Sequence, residues 1–144
     1  MASIVKLVPK VKGQSDYEWD NTFKPMLRNP GNYSLENIIS KLKSNITSWD
    51  DEKRDRQRRQ CIWILCVLLF HEGWDNPGNR ERVLDLVNEW DIDEAVFYEM
   101  KDTAETYKVL RQAHVDDWDV KRSEEFKRNK KDLDTSIKNL IELG

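Results

Sequence analysis

CIWILCVLLF, Cys61–Phe70, is ten apolar residues without a break, and Gln60 alone separates it from DDEKRDRQRR, Asp50–Arg59. The step from charge to oil stands out in a chain whose mean hydropathy is −0.82. Asp50, with Asp51 and Glu52 behind it, suits a helix start, because negative charge favours the first turn. A helix from about residue 50 to 72 is expected, running through the basic stretch into the apolar run. At 1.5 Å per residue it would span roughly 30 Å, the width of a small domain. Its second half is apolar all round, so neighbours must surround it. The run is too short to cross a bilayer, which takes about 20 residues.

The rest of the chain reads as helices packed round that segment. Leu35, Ile38, Ile39, Leu42, Ile46 and Trp49 form one amphipathic stripe, with Ser34 as its N-cap. Before it, Trp19, Phe23, Met26 and Leu27 recur at helical spacing after Gly13 and Ser15, with Pro25 kinking or ending that helix. Asn79 or Gly78 opens a helix holding Val83, Leu86, Val87 and Trp90. Asp91 is the expected cap of a short helix with Val96, Phe97 and Met100, and Thr103 of another with Tyr107 and Leu110. A last helix is expected from about Ser123 to Leu143. Strand signals are scarce, so the fold expected is all-α: a single bundle of six or seven helices, residues 15–144. Residues 1–14, with Pro9 among them, form a short extended arm.

Composition bounds the function. The chain has 144 residues, 38% hydrophobic and 35% charged, with six tryptophans. That many aromatics favour a folded domain with a charged surface. Net charge is −3, unevenly spread: +4 over residues 1–71, −9 over 72–119 and +2 over 120–144. An acidic middle between mildly basic ends points to self-association or a basic partner. Cys61 and Cys66, five apart within the apolar run, read as buried inert thiols. With no apolar leader after Met1, an intracellular protein is expected, neither secreted nor membrane-spanning.

The chemistry-bearing residues do not assemble into a reaction centre. Cys66 and His71 lie about 140° apart round one helix and cannot pair. His71-Glu72 lacks the second histidine of a zinc motif, since Asp75 stands one turn later and Gly73 breaks the helix. Asp116, Asp117 and Asp119 lack the glycine and terminal glutamate of a calcium loop. Five glycines in scattered positions build no phosphate cradle. An enzyme would need a cleft gathering distant residues such as His114, Asp116 and Glu94. No catalytic residue, metal, cofactor or small-molecule substrate is therefore expected.

Contact residues are more legible. Trp74 sits in a turn-rich loop beside Pro77 and Gly78, where a large aromatic either folds into the core or anchors a partner. Leu133, Ile137, Leu140 and Ile141 make a stripe near the chain end, suited to the chain's own bundle or to another subunit. Lys53, Arg54, Arg56, Arg58 and Arg59 place five cations in seven residues, which with Lys6, Lys10 and Lys12 could meet phosphates. Asp50–Arg54, Glu52–Arg56 and Asp55–Arg59 are favourable i,i+4 pairs that would answer much of this charge.

A small helical domain with a basic N-terminal half is similar in outline to retroviral matrix proteins. Their myristoylation signal needs glycine after Met1, where Ala2 stands. The expectation is a non-enzymatic protein-interaction or assembly protein, of viral structural or accessory type, able to self-associate. The alternative is an RNA- or acidic-membrane-binding protein of nucleocapsid or matrix type.

Overall fold

The computed structural model describes residues 7–9, 15, 17, 19–44, 46, 50–71, 74–116 and 120–142, with backbone alone at 71, 110–116 and 120–126. Among the described residues the fold is all-helical, with six α-helices packed together and no strand. They are α1 (Lys24–Arg28), α2 (Leu35–Ser44), α3 (Asp51–His71), α4 (Pro77–Glu89), α5 (Glu94–Asp116) and α6 (Val120–Glu142). A π-helical turn, Trp19–Phe23, leads into α1, and a 3-10 turn, Pro30–Asn32, separates α1 from α2.

Helix starts follow from side-chain oxygens placed to take orphan amides. Asp50 Oδ1 accepts from the Lys53 N–H at 3.0 Å, Ser34 Oγ from Asn37 at 3.1 Å, and Asn76 Oδ1 from Asn79 at 2.9 Å. The last of these moves the expected start of α4: Asn76 is the cap, and Pro77 fills the first position, where its missing N–H costs nothing. Pro25 lies inside a longer helical run, just where the π-helical turn passes into α1 with Phe23 already helical, and the run ends at Arg28, three residues on.

α4 ends on a Schellman arrangement. The Ile92 N–H reaches the Val87 carbonyl at 3.0 Å and the Asp91 N–H that of Asn88 at 3.1 Å. The turn needs a left-handed residue, and Asp91 supplies it with φ of 54°. Asp93 then caps α5, accepting from the Ala95 N–H at 3.0 Å. The separate helix expected from Thr103 does not exist. α5 runs unbroken because no Gly or Pro interrupts it, and the Thr103 hydroxyl donates to the Glu99 carbonyl at 2.7 Å.

Every residue of Cys61–Phe70 is buried, none more than 6% exposed. α3 packs against α4, α5 and α6, and α5 against α6. Leu7 and Val8 also enter this core, and the segment is pinned from α3. The Trp63 indole Nε1 donates to the Leu7 carbonyl at 2.7 Å, and the Gln60 amide to the Pro9 carbonyl at 2.9 Å. α2 buries Ile38, Ile39 and Leu42, and two ion pairs tie it to α4. Arg82 grips both oxygens of Glu36, the shorter contact at 2.8 Å, and Lys43 Nζ lies 2.9 Å from Glu89. The matching seven-residue steps on each helix mean that α2 and α4 run in the same direction.

Candidate functional site

The basic stretch sits within the bundle's flank rather than standing free. Lys53, Arg54, Arg56, Arg58 and Arg59 are all half-buried, and Gln57 between them and Gln60 just after them are buried. Arg54 pairs with Asp51 rather than with Asp50, whose carboxylate serves as the helix cap. Arg56 lies between Glu52 at 3.9 Å and Glu142 of α6 at 3.5 Å. The Arg58 guanidinium is 5.8 Å from the centre of the Trp90 ring. Arg59 and Asp55 line one cleft of about 150 Å³ with Trp90, Asp91 and Asp93. Lys6, Lys10 and Lys12 lie outside the described residues.

The C-terminal stripe packs on the chain's own bundle. Ile137 and Ile141 are each 1% exposed, and Leu133 and Leu140 are half-buried against the same core. Trp74 is also half-buried and packed on the core, while its carbonyl accepts from the Asn79 amide at 2.7 Å. The five expected contact residues therefore share one core and do not form a common exposed face.

Both thiols are fully enclosed, and burial pushes Cys61 and Cys66 far above their ordinary range, so they stay as neutral packing groups. Tyr107 is the buried polar hub: its ring lies 6.0 Å from that of Trp63, and its hydroxyl donates to Asp134, which Lys130 Nζ holds at 2.9 Å. Burial, then the Asp134 carboxylate, drives the phenol well above its usual range. The side chains of His71 and His114, together with Asp117 and Asp119, lie outside the described residues. Among the described residues no three His, Cys, Asp or Glu side chains are placed to hold a metal ion. No helix among them is long and apolar enough to cross a membrane.

One exposed feature among the described residues that the sequence alone does not announce is the outer face of α5. Glu94, Tyr98, Glu99, Asp102, Glu105 and Val109 are all exposed there and fall within an arc of about 140°. Tyr98 is 49% and Val109 67% exposed, with four carboxylates round them. The charge excess of residues 72–119 was the available signal, but Tyr98 and Val109 blend into the core pattern of Phe97 and Met100. Glu99, Asp102 and Thr103 also line an open cleft of about 480 Å³ whose other wall is Ser136, Asn139 and Leu140 of α6.

No protein-family model matches the chain, and neither does a curated protein or a solved structure.

Proposed function

We propose that this chain is a non-enzymatic protein-interaction or assembly protein that works through its outer surface. The observation that carries the reading is the α5 face, where Tyr98 and Val109 stand in water among Glu94, Glu99, Asp102 and Glu105. An aromatic and a branched aliphatic residue among four carboxylates, with Lys101 and Lys108 along one edge, suit a partner with apolar knobs and mainly basic neighbours. In this reading α3 is the axle of the bundle and residues 1–14 are an arm. The burial of Cys61–Phe70 and the Trp63–Leu7 and Gln60–Pro9 bonds support that arrangement. The two free, buried thiols fit an intracellular setting.

Phosphate binding through Lys53–Arg59 is the weaker reading. Arg54 and Arg56 would have to leave Asp51, Glu52 and Glu142, and Arg58 its place over Trp90. Affinity capture with the wild-type chain and a Tyr98→Asp, Val109→Asp variant tests the proposal. Partners recovered by the wild type and lost from an equally folded variant support it. An identical set from both removes the α5 face from the account.

A further inference from the structure

The cleft of about 480 Å³ between α5 and α6 is bordered by acid on both sides. Glu99, Asp102 and Thr103 form one wall, and Ser136, Asn139 and Leu140 the other. Asp132 is exposed and lies between Ser136 and Asn139 round the axis of α6, so it borders the same groove. The two helices are antiparallel, since Tyr107 is level with Asp134, and Glu99 shares the cleft with Leu140. That level sets Asp132 opposite Val109, about 10 Å along the groove from Asp102.

Among the described residues, none of these three carboxylates enters an ion pair. No cation of either helix is turned between them. Lys138 lies about 160° round α6 from Ser136 and from Leu140, and Lys131 about 140° from Ser136. Arg128 stands one turn beyond Asp132, at the rim. On α5, Lys101 Nζ lies over the Phe70 ring, 5.8 Å from its centre, and Lys108 is about 120° from Asp102.

We propose that this groove receives a helix of a partner protein that carries a stripe of lysine or arginine side chains. The proposal rests on the interaction reading above and gives that partner's chemistry. Asp102 joins the groove to the outer face of α5, because Tyr98 and Val109 both lie within about 40° of it round the helix. The acid is strung along the groove instead of converging. Among the described residues no three His, Cys, Asp or Glu side chains are placed to hold a metal ion, so a single multivalent ion finds no cage. Cations on successive turns of one helix meet the carboxylates one after another. From Glu99 the groove reaches Asp102 after about 5 Å and Asp132 after about 15 Å, close to the rise between positions i, i+4 and i+11 of a helix, which share one stripe. Leu140 offers apolar surface to the stem of such a side chain, and Ser136 and Asn139 offer its head neutral acceptors.

Fluorescence anisotropy with the full-length chain and labelled helical peptides tests this. The probe is an alanine-rich peptide of about 18 residues with leucine flanks and lysine at i, i+4, i+7 and i+11. Its control carries the same lysines spread round the helix. The wild type should bind the striped peptide roughly fivefold more tightly than the control, and less tightly as salt rises from about 50 to 500 mM. Glu99→Gln with Asp102→Asn should weaken binding about tenfold. Glu81→Gln with Asp85→Asn removes the same charge from exposed positions of α4 and should change it by less than about twofold. Equal losses in the two variants overturn the proposal, as does a wild type that treats both peptides alike, because net acidity then accounts for the binding. A wild type that binds neither peptide overturns it too. Each of these results leaves the capture experiment of the preceding section able to succeed, since that one reads partners of any chemistry through Tyr98 and Val109.

Discussion

The Trp63 indole donates to the carbonyl of Leu7, 56 residues earlier, at 2.7 Å, with both residues buried. One side chain of α3 thereby satisfies a main-chain acceptor that would otherwise be dry. Trp63→Phe keeps an aromatic in the core and leaves that carbonyl unmatched. The expected loss is about 2 kcal/mol, from an unsatisfied buried acceptor and a small void. Urea denaturation reads it directly, and an unchanged midpoint would show that the bond contributes nothing.

Tyr107 holds its proton unusually tightly. Its phenol is raised by burial and by donation to Asp134, so the neutral form belongs to the folded state. Stability from this group is fully present below about pH 10, the ordinary tyrosine value, and is lost as pH rises beyond it. In an ultraviolet titration Tyr107 should ionise only as the protein unfolds. Complete ionisation of all four tyrosines with the helical signal intact would contradict this.

Asp91 pays a conformational penalty for its place in the turn, since φ of 54° is a region that side chains with a Cβ disfavour. Asp91→Gly removes the strain and a carboxylate beside Asp55 and Asp93, at some entropic cost in the unfolded chain. A net gain of about 0.5 kcal/mol is expected, and Asp91→Val should lose more than 1 kcal/mol, roughly. Thermal melts of the two variants should move in opposite directions.

Acid should loosen the links around α4. Hydrogen bonding to Arg80 holds Asp75 below its usual range, and Lys43 does the same for Glu89. A depressed carboxylate stabilises above its unfolded pKa, and that contribution disappears as pH falls through the folded value. The melting temperature should therefore fall as pH drops below about 4. These pairs are on the surface, so salt should shrink the effect. A melting temperature flat between pH 5 and 3 would count against both links.

Much of the scaffold was legible because it depends on neighbours in sequence. Asp50 and Ser34 announce their helices, and Ile38, Ile39 and Leu42 repeat at the spacing of a buried face. What stayed hidden depends on tertiary partners. Gln60 looks like part of a solvated charged run, yet it is buried because Pro9 offers it an acceptor. Thr103 resembles a cap, but its hydroxyl can return to the Glu99 carbonyl inside a helix. Ile137 and Ile141 could have met any apolar surface, and only the packing of α6 on α3 and α5 settles which. The acidic excess of the middle segment was visible, but its concentration on one face of α5 needs the helix to be continuous from Glu94.

Affinity capture on the wild-type chain and on the Tyr98→Asp, Val109→Asp variant tests most directly whether the outer face of α5 is where this protein works. The account predicts partners that the wild type recovers and the equally folded variant loses. An identical set of partners from both would contradict it.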